Sequence, residues 1–340
     1  MDLTLLETLT QTFGPSGYED DIRSVIRKSV EAFADEIRVD PLGSLVAYRK
    51  GTGETPKKIL LAAHMDEIGL MVTHIEEHGF VRFTSIGGVR ALSHIGQRVR
   101  FANGITGPIY LERRDPPKLP GLQHLYIDVG ATSREDCPIG VGETGVFVGP
   151  LVQQGTRLIS KTMDDRIGCY ILIEMLRRLK DSANDVYVAF TTQEEITLSG
   201  ARTSAFRIDP DIAIALDVTA TGDTPKALPM DVSLGKGPAV KVKDSGMIAH
   251  PRVRDMLVDA AERAGVPYQM EILLAGTTDA AAMQLVRSGV PSGCLSIPCR
   301  YIHSTVEMVD QVDVENAIEL MLALLSKPIR INAKKAFDQT

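Results

Sequence analysis

The stretch Ile59-Leu60-Leu61-Ala62-Ala63-His64-Met65-Asp66 decides the fold class. Five apolar residues in succession, without polar alternation, predict a strand buried on both faces, as in sheets covered by helices on each side. The run ends on a histidine and an aspartate. Ligand sites of open α/β sheets collect at the carboxyl ends of the strands, so His64 and Asp66 are candidates for function. Before this strand, the turn Gly14-Pro15-Ser16-Gly17 precedes a helix whose Ile22, Val25, Ile26, Val30 and Phe33 recur at helical spacing. Ile37–Val39 and Leu45–Tyr48 flank Asp40-Pro41-Leu42-Gly43 and predict a hairpin.

Beyond about Val72 the texture changes. Short strand candidates at Phe80–Thr84, Gln97–Phe101, Ile105–Tyr110, Leu125–Val129 and Val146–Val148 are separated by glycines and by the loop Asp115–Pro120. They predict a small β-barrel. Alternation of strand and helix returns near Ser160: a helical stripe on Ile167, Tyr170, Ile171, Met175 and Leu179, strands at Val186–Thr191, Ile212–Leu216 and Gly293–Ile297, and helices at Val253–Ala264 and Glu315–Leu325. The expected fold class is α/β: a mixed-sheet α/β domain over 1–72 and 159–340, interrupted by a β-barrel at 73–158. The tail after Ile331 is expected to fray.

Length and composition agree with this plan. The chain has 340 residues, enough for two domains, and 44% hydrophobic against 24% charged residues is a globular balance. Net charge is −7, opposite in sign to a general nucleic-acid binder, so no nucleic-acid partner is expected. No apolar run reaches the ~18 residues that span a bilayer, and Met1-Asp2-Leu3-Thr4 lacks the basic region of a signal peptide. The four cysteines, Cys137, Cys169, Cys294 and Cys299, form no C-x-x-C pair. So few in so long a chain point to a reducing compartment, and the expected location is cytoplasmic.

Two motifs are decoys. His74-Ile75-Glu76-Glu77-His78 has the H-x-x-E-H spacing of an inverted zinc protease, but that chemistry needs a helix, and the flanks read as strands with Gly79 closing a turn. Gly140-Val141-Gly142-Glu143-Thr144-Gly145 has the G-x-G-x-x-G spacing, but a dinucleotide fingerprint must follow a strand and open a helix. Here Pro138 precedes it and strand follows.

Other acidic groups and histidines stand at the ends of strands or at loop–helix junctions. Asp164-Asp165 precedes the Ile167 helix, Gln193-Glu194-Glu195 follows Val186–Thr192, Asp217 ends the run Asp211–Leu216, and His303 follows Leu295–Ile297. Singly, each has a plain structural alternative: a strand-end cap for Asp217, a helix cap for Asp164, a solvated pair for Glu194-Glu195, a satisfied loop histidine for His303. Jointly they predict one crevice. Three carboxylates and two imidazoles hold two divalent cations when one carboxylate bridges, and mixed N/O ligation suits zinc, cobalt or manganese. Such ions activate a water near neutral pH, and one more carboxylate must then move its proton. In Glu194-Glu195 one residue can ligate while its neighbour serves as base. Asp66, two residues after His64, can orient that imidazole.

His64-x-Asp66, Met163-Asp164-Asp165-Arg166, Gln193-Glu194-Glu195, Leu216-Asp217 and Arg300-Tyr301-Ile302-His303-Ser304 resemble the signature blocks of the di-metal, tetrahedral-assembly (TET) aminopeptidases, which include the glutamyl aminopeptidases and cellulase-M-like proteins. Ser85-Ile86-Gly87-Gly88, Leu234–Pro238 and Gly276–Ala280 extend the resemblance over nearly the whole chain. It implies a zinc-peptidase-like catalytic domain with two divalent metal ions per subunit, zinc or cobalt foremost. His64 and Asp217 would hold one ion, Glu195 and His303 the other, and Asp164 would bridge them, with a cis Asp164-Asp165 peptide. Glu194 would be the general base and Asp66 the orienting acid. The barrel would make dimer contacts, and six dimers a hollow homododecamer. The loop from Arg113 to Gln123 is shorter than the family's usual loop.

The activity this predicts is removal of N-terminal residues from short peptides. Two alternatives are a glycosidase of the endoglucanase kind and a deacylase of modified amino acids on the same scaffold; a non-catalytic binding protein is a third. Glycoside hydrolysis needs two carboxylates and no histidine, so it leaves His64 and His303 unexplained. Arg166, Lys243 and Arg300 are basic candidates for recognising acidic substrates.

Overall fold

In the computed structural model, which describes residues 1–113 and 118–329, the strand containing Ile59–Ala63 spans Lys58–His64 and is buried from Ile59 onward. It lies inside an eight-stranded sheet. The order is Glu36–Val39, Leu45–Arg49, Asp185–Thr191, Lys58–His64, Ile212–Thr219, Ser292–Pro298, Ala239–Lys243, Gln269–Ile272. The four strands in the middle are mutually parallel, while the hairpin and the Ala239–Lys243 strand join them antiparallel. The sheet is therefore mixed, as expected, and the carboxyl ends of its four central strands share one edge.

Side chains alternate across a strand with period two, and both faces find apolar partners. Ile59, Leu61 and Ala63, with Ile212, Ile214, Leu216 and Val218, join a large core that takes in the helices Leu3–Gln11, Asp20–Val30, Met163–Arg178, Pro251–Ala264 and Gln311–Leu325. Leu60 and Ala62, with Ala213 and Ala215, join a second core under the helices Ser199–Ile208 and Asp279–Met283. That second face is rich in alanine, so its helices sit close. Each larger aliphatic side chain buried in this way contributes about 1.5–3 kcal/mol. The same parity carries His64 and Asp217 onto the second face. Ala215 lies opposite Ala62, so these two residues stand level, two positions further on. Asp217 does not end its strand, as the sequence suggests, but lies within it, because pairing with Ser292–Pro298 continues to Thr219.

The inserted unit is a closed six-stranded barrel, ordered Gly69–Ile75, Val81–Ile86, Leu125–Ile127, Thr106–Leu111, Arg98–Phe101, Thr144–Phe147, around its own apolar core. Its strands run from Gly69 to Phe147, against the expected limits of 73 and 158. Residues beyond Phe147 enter a separate antiparallel sheet, Val152–Gln154, Arg157–Ser160 and Glu307–Asp310. His74 lies on a barrel strand and His78 in the turn before Gly79, whose φ is +82°. Gly140–Gly145 leads into the strand Thr144–Phe147 and opens no helix. Neither decoy has the geometry its chemistry would need. The loop expected over 115–120 lies partly outside the described residues, as does part of the 113–123 segment, and the tail after Ile331 lies wholly outside them.

Candidate metal centre

Four parallel strands deliver the candidate side chains to one edge. His64 closes the first, Glu194 and Glu195 follow Asp185–Thr191, Asp217 stands near the end of the third, and His303 follows Ser292–Pro298. Asp164 arrives separately, at the start of the helix Met163–Arg178, and the Asp164–Asp165 peptide is cis. Residues next to these side chains take left-handed backbone angles: Thr162 (φ +61°), Gln193 (+56°), Tyr301 (+61°) and His303 itself (+61°). Non-glycine residues in this region each cost on the order of 1–3 kcal/mol and cluster where a site demands them.

Asp164 is central. One of its carboxylate oxygens lies 3.0 Å from His64 Nε2 and the other 3.3 Å from His303 Nε2. Glu195 Oε1 is 3.3 Å from the same His303 nitrogen, and Glu194 Oε2 is 3.8 Å from His64 Nε2. Two triads result, His64/Asp164/Asp217 and Asp164/Glu195/His303, each with ligand-type atoms within 4.8 Å of one another. Six of the seven candidates from the sequence meet at one crevice, and the seventh, Asp66, is buried behind them against His64 and the Glu194 and Glu195 backbone.

The surroundings bear on whether divalent ions fit. Glu195 Oε1 is buried with the His303 imidazole 3.3 Å away but makes no hydrogen bond, a state costly for a carboxylate oxygen unless a cation meets it. Burial pushes the Glu194 carboxyl well above its ordinary value; His64 opposes this, and Asp217, Asp279 and Glu195 add to it. Asp217 is raised in the same way, by burial and then by Asp164. Burial also opposes ionisation of Asp164, yet the His303 and His64 imidazoles outweigh it and hold that carboxyl below the usual range. Imidazole and carboxylate donors in two overlapping groups are the donor set that mixed N/O metal sites use. The residues fit two divalent ions.

Supports that sequence reasoning missed hold the crevice in shape. The Asp66 carboxylate accepts the backbone N–H groups of Glu194 at 3.0 Å and Glu195 at 3.2 Å and the Ser16 hydroxyl at 2.5 Å, while its distance to His64 Nδ1 is 3.5 Å. The Asp66 backbone oxygen is nearer that nitrogen, at 3.2 Å. Buried Glu67, next in sequence, is paired with Lys161 and accepts the Thr162 hydroxyl at 2.9 Å. It thereby ties the His64 segment to the Asp164 segment. Gly87 and Gly88 bring the barrel onto the site. The Gly88 carbonyl accepts from His303 Nδ1 at 3.1 Å, and a Cβ at Gly88 would stand 2.5 Å from that nitrogen. The sequence signal for that contact was the Ser85-Ile86-Gly87-Gly88 block; for Glu67 and Ser16 there was none.

The basic candidates are elsewhere employed. Arg166 is fully buried, donating to the Thr12 carbonyl at 3.2 Å and lying 3.6 Å from Glu67. Lys243 donates to the Asp244 carbonyl, and Arg300 grips Asp223 with Nε and Nη2 at 2.9 and 2.8 Å. Among the described residues, the arginine or lysine that does line the crevice is Arg90, from the barrel.

A family model described as M42 glutamyl aminopeptidase matches residues 43–320. The chain belongs to this family. It is a hydrolase of the aminopeptidase class. The lysyl aminopeptidase of Pyrococcus furiosus is 38% identical, over 96% of this chain and 97% of the relative. Among solved structures, an aminopeptidase from Desulfurococcus kamchatkensis superposes with a TM-score of 0.92 at 41% identity, covering 95% of this chain and 94% of the other. The TET1 peptidase of Pyrococcus horikoshii, described as assembling into a tetrahedron or a large octahedral shell, superposes with a TM-score of 0.85 at 32% identity, over 96% and 99% of the two chains. Among the described residues, no helix is long and apolar enough to cross a membrane.

Proposed function

We propose that this M42 chain removes N-terminal residues from short peptides with two divalent ions, zinc or cobalt foremost, and with Glu194 as general base. The observation that carries the reading is the pair of triads sharing Asp164. His64 and Asp217 would hold one ion and Glu195 and His303 the other, with Asp164 common to both groups. Ions so held supply the positive charge that lowers the pKa of an attacking water and polarises the scissile carbonyl.

The protein supplies the rest. Glu194, whose carboxyl is made more basic by burial, accepts a proton from the attacking water as its oxygen bonds to the carbonyl carbon. It then returns that proton to the nitrogen as the C–N bond breaks. Asp66 acts one step back, fixing Glu194 and Glu195 through their backbone N–H groups and backing His64. A glycosidase reading gains nothing from the geometry, since the crevice carboxylates Asp164, Glu194 and Glu195 are all within 3.8 Å of an imidazole.

The barrel, 73–158 in the expected division, serves dimer contacts, and six dimers close into a dodecamer; the likeness to the Pyrococcus horikoshii peptidase supports a tetrahedral shell. Four unpaired cysteines favour a cytoplasmic enzyme. The test is metal analysis of the purified protein, chelation, and reconstitution with zinc, cobalt and manganese, assayed on a free-amine peptide and its acetylated form. Cleavage of the free-amine peptide only, dependent on restored metal, is expected. Equal activity in metal-free protein would overturn the two-metal reading, and preference for the acetylated form would make the enzyme a deacylase.

A further inference from the structure

Two cavities of about 410 Å³ each adjoin at the crevice. One is walled by Asp164, Glu194, Glu195, Asp217 and His303; the other, more apolar, by Leu228, Met230 and Leu274. Arg90 lines both, together with Leu273 and Ile302. Among the described residues it is the one arginine or lysine in the first cavity. The second cavity also contains Arg300, but that guanidinium is taken by Asp223. Among the described residues the Arg90 guanidinium has no acidic partner and donates no hydrogen bond.

Its backbone, by contrast, is anchored on both sides. The Arg90 carbonyl accepts from His94 Nδ1 at 2.8 Å, and two residues earlier Gly88 is locked against His303. A cation is therefore held where the two cavities meet, its head exposed and its base fixed. An arginine matches a carboxylate with two parallel N–H···O bonds. Two divalent ions held there would offset the crevice carboxylates, and an anionic substrate group would then meet no net repulsion.

Given the aminopeptidase reading on which this rests, we infer that Arg90 receives a carboxylate of the substrate and so sets which peptides are cleaved. Two parts of a peptide carry that group: an acidic first side chain, and the terminal carboxylate of a dipeptide, whose second Cα lies one residue, about 3.8 Å, beyond the first.

The experiment compares kcat/KM for wild type, Arg90→Ala and Arg90→Lys on two substrate pairs. Glutamyl- and leucyl-p-nitroanilide differ in the side-chain carboxylate and have no terminal one; Leu-Gly and Leu-Gly-amide differ only in the terminal carboxylate. The expected result is that the acid-to-neutral ratio falls about 10-fold or more in Arg90→Ala for one pair, mainly through KM, with Arg90→Lys between. The affected pair identifies which carboxylate is read. Ratios within about twofold of wild type in both pairs would overturn the inference while leaving the aminopeptidase reading intact. A metal-loaded wild-type enzyme that cleaves none of the four substrates would remove both.

Discussion

The Glu307 carboxylate accepts the backbone N–H of Asp164 at 2.9 Å, and with its other oxygen that of His303 at 2.8 Å. One buried side chain on the strand Glu307–Asp310 thus joins two segments that carry candidate ligands. Glu307→Gln keeps the volume but turns an amide N–H₂ toward one of the two backbone donors. Affinity for divalent ions is expected to fall about 10–100-fold, the usual cost of losing a support behind a ligand, with the fold retained. Competition with a metallochromic chelator measures it, and unchanged affinity would confine Glu307 to a structural role.

Glu194→Gln tests the general base. The amide preserves shape but accepts no proton, so kcat is expected to fall about 10²–10⁴-fold while metal content stays normal. Retention of more than about a third of the wild-type rate would remove Glu194 from this role.

His303→Ala is expected to act in the opposite order: metal occupancy falls first and activity follows. The side chain stands 3.3 Å from both Asp164 and Glu195, so its loss opens one triad. Two ions still bound in this variant, by elemental analysis, would show the ligand assignment to be wrong.

Chelation is expected to abolish turnover and to loosen the assembly. Without cations, Asp164, Glu194, Glu195 and Asp217 crowd into one crevice, and like charges at such range strain the structure that holds them. Light scattering with and without chelator, beside a reconstitution assay, separates the two effects. A large oligomer unchanged after complete metal removal would refute the coupling to assembly.

His94 gives a pH dependence. Its ring is buried 4.0 Å from the Phe147 ring, with Nε2 unpartnered. Burial lowers its pKa from 6.5, the Arg90 carbonyl partly opposes this, and His303 adds to the lowering. A base with a depressed folded-state pKa contributes stability that is fully present above its unfolded value and is lost as pH falls. Wild type should therefore lose thermal stability below pH 6.5 more steeply than His94→Phe. Parallel Tm–pH curves down to about pH 5 would exclude His94 as the cause.

Much of this protein is legible in the sequence. The apolar run Ile59–Ala63 predicts a doubly covered strand, and the flanks of His74–His78 and Gly140–Gly145 mark both as decoys. His64, Asp66, Asp164, Glu194, Glu195, Asp217 and His303 could be singled out because hydropathy and position relative to strand ends are local properties. The partners of those side chains are not local. Glu307 is 143 residues from Asp164 in the chain, and the contact of Gly88 with His303 spans 215. Arg166, Lys243 and Arg300 had the right charge for recognition, yet packing assigned them to Glu67, Asp244 and Asp223 and left Arg90 facing the crevice. Residue type and strand ends set the chemistry available. Which cation faces the crevice, and which carboxylate holds it in shape, was decided by the barrel docking on the sheet and the three-stranded sheet closing behind it, because only folding brings such distant groups within hydrogen-bond range.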